Sequence, residues 1–118
     1  MVALSLERGS VWVVRLQPNQ GREMGKIRPA VVLQLEQVTA AGLPTVVVAP
    51  LSSRLYAGAQ PLRVHIPARD RLLQPSWVCV EQIRAIDRSR IGEGPLTHLT
   101  EDERTTVEQA LLGLLGMR

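Results

Sequence analysis

Arg28-Pro29 marks a seam where the chain changes character, and that seam limits what can be built on either side of it. Before it runs a loop punctuated by glycine, Gly21-Arg22-Glu23-Met24-Gly25-Lys26-Ile27; after it comes Ala30-Val31-Val32-Leu33, apolar and rich in β-branched side chains. Proline fixes its own φ, offers no backbone donor and pushes the preceding residue towards extended geometry, so Pro29 suits the first residue of a strand. Arg28 is then aimed by a strand instead of a loop. Gly21 and Gly25 let backbone approach a ligand closely, and the planar, permanently charged fork of an arginine can grip a phosphate. The same residues also suit an ordinary hairpin with a solvated arginine, so the stretch alone leaves both readings open.

A chain of 118 residues is long enough for one compact domain with a single core, residues 1–118, and too short for two. Hydrophobic residues make up 45% but aromatics only 3%, so the core has to be built from Val, Leu, Ile and Ala. With only Trp12, Tyr56 and Trp77, a platform on which several bases stack is disfavoured. The net charge of +3 is unevenly spread: residues 1–99 carry 12 Lys and Arg against 7 Asp and Glu, whereas residues 100–118 carry 2 against 4. All basic residues but Lys26 are arginine, which suits phosphate or carboxylate recognition and equally a G+C-rich genome. Cys79 is the only cysteine, so no intrachain disulfide can form, and no Cys/His cluster is present for zinc. Met1–Arg8 lacks a signal-peptide pattern and no apolar run approaches the roughly 20 residues of a membrane span, so a soluble, cytoplasmic protein is expected.

Ser10–Leu16 reads as the first strand. Gln17–Gly21 is rich in turn residues, and the connection through Lys26 is long for a hairpin, as functional loops often are. Pro29–Leu35 reads as a second strand, hydrophobic enough to be covered on both faces. Glu36–Gly42 suits one helical turn or an irregular loop. Thr45–Leu51 is a third strand and delivers Ser52-Ser53-Arg54 at its end, where hydroxyls can cap the backbone or contact a phosphate. Leu62–Ile66 alternates, with Arg63 and His65 on the polar face, and nothing nearby orients His65 for catalysis.

Arg69-Asp70-Arg71 reads as a turn with a solvated charge cluster, and Ser76–Ile83 as a further strand, followed by a short strand or turn over 84–91. On that strand Cys79, Glu81 and Ile83 share a face, so Glu81 either has a partner such as Arg84 or Arg28 or lies solvated at the sheet margin. Thr100 with Glu103 predicts a capping box opening a helix whose apolar stripe is Val107, Ala110, Leu111 and Leu114, with Gly116 as its stop. His98, just before it, reads as a polar loop residue. Five or so short strands and a terminal helix make a mainly β (α+β) fold, a small barrel closed by a helix.

Several of these segments, in this order and at this spacing, resemble the MazF/PemK/Kid family of toxin endoribonucleases. They are Arg8-Gly9-Ser10-Val11-Trp12, Gly21–Val32, Val48-Ala49-Pro50-Leu51-Ser52, and Glu81-Gln82-Ile83-Arg84-Ala85-Ile86-Asp87 with Arg90-Ile91. The resemblance covers about 90% of the chain, in the family's order. It implies an SH3-like β-barrel with a C-terminal α-helix, a homodimer that cuts single-stranded RNA without a metal or other cofactor, and a cognate antitoxin that lays a largely acidic tail across the RNA groove. The cut proceeds by attack of a 2′-hydroxyl on its neighbouring phosphate, leaving a 2′,3′-cyclic or 3′ phosphate and a 5′ hydroxyl.

Residue by residue, the resemblance makes Arg28 the active-site arginine. Ser52 stands where the family usually has threonine; the hydroxyl is kept and the methyl that fixes its rotamer is lost. One branch of the family uses an arginine, an aspartate and a loop histidine where this chain has Cys79, Glu81 and Arg22, so Glu81 is a candidate general base and Cys79 a packing residue. Gly21, Arg22, Lys26, Ser53, Arg54 and Arg84 are the candidate RNA contacts. Two other readings share the fold. One is a toxin of the CcdB type that binds DNA gyrase, against which stand Arg28, Ser52 and the ending Leu-Gly-Met-Arg; the other is a barrel that binds RNA without cutting it.

Overall fold

Short runs of β-branched residues separated by Gly, Pro and Asp give seven antiparallel strands in the computed structural model, which describes residues 6–17, 20–55, 58 and 62–118. They are β1 (Ser10–Arg15), β2 (Ile27–Val32), β3 (Thr45–Ser52), β4 (Arg63–Ile66), β5 (Ser76–Cys79), β6 (Arg84–Asp87) and β7 (Thr97–His98), with helices α1 (Glu36–Ala40) and α2 (Glu101–Leu114). Their order across the sheet is β4-β5-β3-β2-β1-β7, with β6 also on β3. β3 organises the sheet: its first half pairs with β6 and its last two residues with β5. Changing partner along one strand curls the sheet into a small half-barrel, and α2 packs against β4 and the turn after β5.

Strand alternation separates two cores. Val11, Val31, Ala49, Leu51, Val64, Ile66, Val78 and Val107 fill the inside of the curl, while Trp12, Val14, Ala30, Val32, Val46, Val48 and Ile86 pack on the outer face. β2 therefore has apolar neighbours on both faces, as its composition predicts. Trp12 packs so closely on Gly94 that a Cβ there would lie 2.6 Å from the indole, so that position requires glycine. α2 opens with the expected capping box, Thr100 Oγ1 accepting from Glu103 N and Glu103 Oε1 accepting from Thr100 N.

Five expectations need correction. β2 begins at Ile27, so Pro29 lies inside it, opposite Val13. Val13 turns its own N–H and C=O towards Glu93 and Gly92, so Pro29 has no bond to give β1, and its missing donor coincides with the end of the β2–β3 ladder at Ala30. β2 also stops at Val32, short of Leu35.

The run Ser76–Ile83 breaks into a 3-10 turn over Val80–Gln82, because Val80 is drawn into the inner core and bonds Leu62 O before the chain returns to β3 as β6. The turn 69–71 is solvated only in part: Asp70 and Arg71 are exposed, but Arg69 is half-buried. Arg69 forks onto both carboxylate oxygens of Glu103 (3.0 and 2.6 Å) and also reaches His98 O, while Asp70 Oδ2 accepts from Thr97. His98 belongs to β7, paired with Ser10 and exposed. Part of the turn expected at Gln17–Gly21 falls on residues 18 and 19, outside the described residues.

Candidate functional site

Two strands bring the two hydroxyl and guanidinium groups singled out by the sequence to one end of the barrel. β2 and β3 pair as Ala30 with Pro50, Val31 with Ala49 and Val32 with Val48. Two residues past the end of that pairing, where the strands are no longer bonded, Arg28 on β2 and Ser52 on β3 stand at the same level of the register. Ser52 pairs with Trp77 on β5, and Trp77 with His65 on β4. A transverse row thus crosses four strands: Arg28, Ser52, Trp77, His65. Alternation points all four away from the inner core that holds Val31, Leu51, Val78 and Val64.

Within that row the groups are held differently. Arg28 is half-buried, and its Nε donates to Gly25 O at 2.9 Å, which fixes the base of the guanidinium and leaves its Nη groups to donate elsewhere. Ser52 is buried; its Oγ accepts from Arg54 N at 3.1 Å, so the hydroxyl both caps the strand end and keeps a proton to donate. Trp77 is half-buried and meets exposed His65 edge to face, with ring centroids 4.9 Å apart and planes at 64°.

One step further along β4 and β5, Arg63 pairs with Cys79. Glu81, on the turn that follows β5, turns back onto Arg63: Nε lies 2.9 and 3.1 Å from its two oxygens and Nη2 2.6 Å from Oε2. The partner of Glu81 is therefore Arg63, not Arg28 or Arg84 as the sequence suggested. The Arg63 side chain is only 7% exposed and that of Glu81 24%, which makes this a largely desolvated pair. Burial pushes the Cys79 thiol up to about 11, opposed by the charges of Arg63 and Arg28 and a Ser52 backbone bond and assisted by Glu81. Those influences place Arg28, Ser52, Arg63, Glu81 and Cys79 in one electrostatic neighbourhood. A thiol so shifted stays neutral at pH 7, in keeping with a packing role.

The other candidates spread around this end. Gly21 and Arg22 are exposed at a turn in which Gln20 and Glu23 bond each other, and Met24 anchors the loop by donating its N–H to Gln82 Oε1 at 3.1 Å while its side chain packs on the outer core. Lys26 is exposed with φ +70, a left-handed conformation that costs a non-glycine residue about 1 kcal/mol or more. Arg84 reaches Leu16 O at 3.5 Å, below the loop. Arg54 is exposed just beyond Ser52.

Ser53 faces the opposite side and lines a groove of about 460 Å³ with Ile27, Pro29, Leu51 and Arg71; Arg28 borders it too. Among the described residues, no three His, Cys, Asp or Glu side chains converge as a metal site requires, and no helix is long and apolar enough to cross a membrane.

Sequence reasoning missed Arg63 and the pairing of Trp77 with His65. Alternation had put Arg63 and His65 on one face; the missing datum was the register that set that face beside Trp77 and Cys79.

Against known proteins, the family profile of the PemK-like, MazF-like toxins of type II toxin-antitoxin systems matches residues 7–115. The fold is similar to MazF from Deinococcus radiodurans, with 28% identity, coverage of 94% of this chain and 96% of that one, and a TM-score of 0.79. It is also similar to a MazE-MazF complex from the same organism, with 27% identity, 98% and 100% coverage and a TM-score of 0.75. A mycobacterial endoribonuclease solved with its cognate antitoxin shares the fold at 19% identity, with 95% and 94% coverage and a TM-score of 0.70.

Proposed function

The chain belongs to the PemK-like, MazF-like toxins of type II toxin-antitoxin systems, and we propose that within that family it is a sequence-specific endoribonuclease that cuts single-stranded RNA in the cytoplasm. The observation that supports this reading is the β2–β3 register: beyond its last pair, Ala30 with Pro50, the two strands run on to Arg28 and Ser52 at one end of the sheet, at the foot of a glycine-bearing loop.

In RNA the nucleophile is already in place, since the 2′-hydroxyl neighbours the phosphate it attacks. The protein has to hold the strand, stabilise the charge that grows on the phosphate oxygens and manage protons. Arg28, tied through Nε to Gly25, presents its Nη donors to that charge. A guanidinium holds its protons too firmly to be a good acid, so its part is electrostatic more than acid donation. Ser52 donates its hydroxyl proton to a phosphate oxygen while Arg54 N holds it in place. Both oxygens of Glu81 are engaged by Arg63, so its part in our reading is to balance that buried guanidinium and hold β4, β5 and the turn after them in place beside the phosphate site.

Gly21, Arg22 and Lys26 on the loop, with Arg54 and Arg84 nearby, choose and hold the strand, and Ser53 contacts it from the groove side. No metal or cofactor enters this scheme. The working unit is a homodimer, and the inhibitor is a cognate antitoxin whose acidic segment covers the basic body; the antitoxin complexes of the structural neighbours support that partner.

The test is a cleavage map of a long RNA incubated with purified protein in excess EDTA. Cuts at a short recurring sequence, with cyclic or 3′ phosphate ends, are expected from wild type and not from Arg28→Ala. Intact RNA with wild type, or equal cutting by Arg28→Ala, refutes the proposal.

A further inference from the structure

We propose that Trp77 and His65 form a platform on which one unpaired base of the RNA stacks, next to the phosphate held by Arg28 and Ser52. This rests on the ribonuclease reading above and adds a positioning role to two residues it leaves unused. Trp77 is the direct neighbour of Ser52 across the sheet, on paired strands whose backbones lie about 4.8 Å apart. A base attached to the ribose beside that phosphate spans such a distance.

The platform is ready-made. Trp77 and His65 are adjacent on two paired strands, and the T-shaped contact at 4.9 Å fixes the two rings against each other before any ligand arrives. His65 is exposed and Trp77 half-buried, so the pair presents a supported ring surface to solvent on the face that Arg28 shares. Aromatic side chains on a sheet are a recurrent means of seating single-stranded bases. A scarcity of aromatics rules out a tract of stacked bases, and one base needs only this pair.

Because every base has a π face, the platform aligns the strand without choosing its sequence, which stays with the loop. Its dependence is therefore on the presence of a base at one position, not on which base stands there.

The probe is an RNA spanning a mapped cut, with 2′-deoxyribose at the attacking position so that it binds without being cleaved. Trp12 is buried and gives a constant background, so binding is expected to quench emission from Trp77. Trp77→Leu is expected to bind about tenfold more weakly, and Trp77→Phe to recover most of the loss. A series of probes, each with one abasic nucleotide, should include one position at which wild type and Trp77→Leu bind equally.

His65→Ala, an exposed substitution that leaves the strand intact, should show a smaller loss that vanishes at the same position. If wild type cuts RNA but no abasic position levels the variants, or emission does not change on binding, the platform is refuted and the nuclease reading stands. A wild type that neither binds nor cuts RNA removes both.

Discussion

Replacing Glu81 by glutamine separates a proton-transfer role from a supporting one. The substitution keeps shape but removes the charge that faces a guanidinium only 7% exposed. Exposed ion pairs contribute about 0.2–1 kcal/mol, and breaking a buried one costs about 3–5 kcal/mol because the partner is left desolvated. With Glu81 itself 24% exposed, the cost lies between, about 2–3 kcal/mol. For 118 residues, unfolding entropy near 2.1 cal/mol/K per residue turns this into a fall in Tm of about 8–12 °C.

The double variant Arg63→Met with Glu81→Met replaces the whole pair by apolar side chains of similar length, and should return to within about 4 °C of wild type. Thermal unfolding followed by circular dichroism gives the stability cycle, and cleavage rates from pH 5 to 9 run beside it. In our reading Glu81→Gln keeps the shape of the pH profile, and the double variant recovers most of the rate. A Glu81→Gln protein that is as stable as wild type, loses the acidic limb of the profile and is not rescued in the double variant would make Glu81 the general base and refute the supporting role.

Ser52→Ala should lower the cleavage rate by about 10² or more, for loss of a donor to the transition state, yet cost only about 1 kcal/mol of stability for its bond to Arg54 N; a rate loss under about threefold returns the hydroxyl to a capping role. Ser52→Thr, which keeps the hydroxyl, should remain active. Cys79, buried and pushed up to about 11, should resist an aromatic disulfide reagent at pH 8 in the native protein and react at once in denaturant; rapid native labelling would show that β5 opens. The bond from Arg69 holds the Glu103 carboxyl below its usual 4.5. A depressed carboxyl stabilises the fold fully above the unfolded value and loses that contribution as pH falls through the folded one. The Tm gap between wild type and Glu103→Gln should therefore narrow steadily from pH 6 down to pH 3, and a gap independent of pH refutes the linkage.

What the sequence reveals and what it hides follow a single physical division. The capping box of α2 is written in residues three apart, and the strands β1 and β3 in local runs of β-branched side chains, so both are legible. Arg28 and Ser52 are each legible as residues at strand ends, but their standing at one end of the sheet depends on a register set by the curl of the whole sheet. The break at Val80 is a case of tertiary demand overriding local propensity, since Val-Cys-Val suits a strand and the inner core claims Val80. Arg63 with Glu81 and Arg69 with Glu103 lie 18 and 34 residues apart. No local pattern distinguishes those arginines from solvated ones, which is why Arg69 reads as free charge when it is a clasp on α2.

β1 and β7 pair across nearly the whole chain, Val11 with Thr97 and Ser10 with His98, and Val107 of α2 sits in the same core as Val11. During synthesis the first strand leaves the ribosome long before the residues that cover its edge and its inner face. Closure of such distant pairs makes folding slow, on the order of milliseconds to seconds for a β-rich topology. A nascent chain stopped short of Thr97 has an open edge on β1 and an unfilled core beneath it. Until those distant residues pair, the edge of β1 stays open to whatever binds it first.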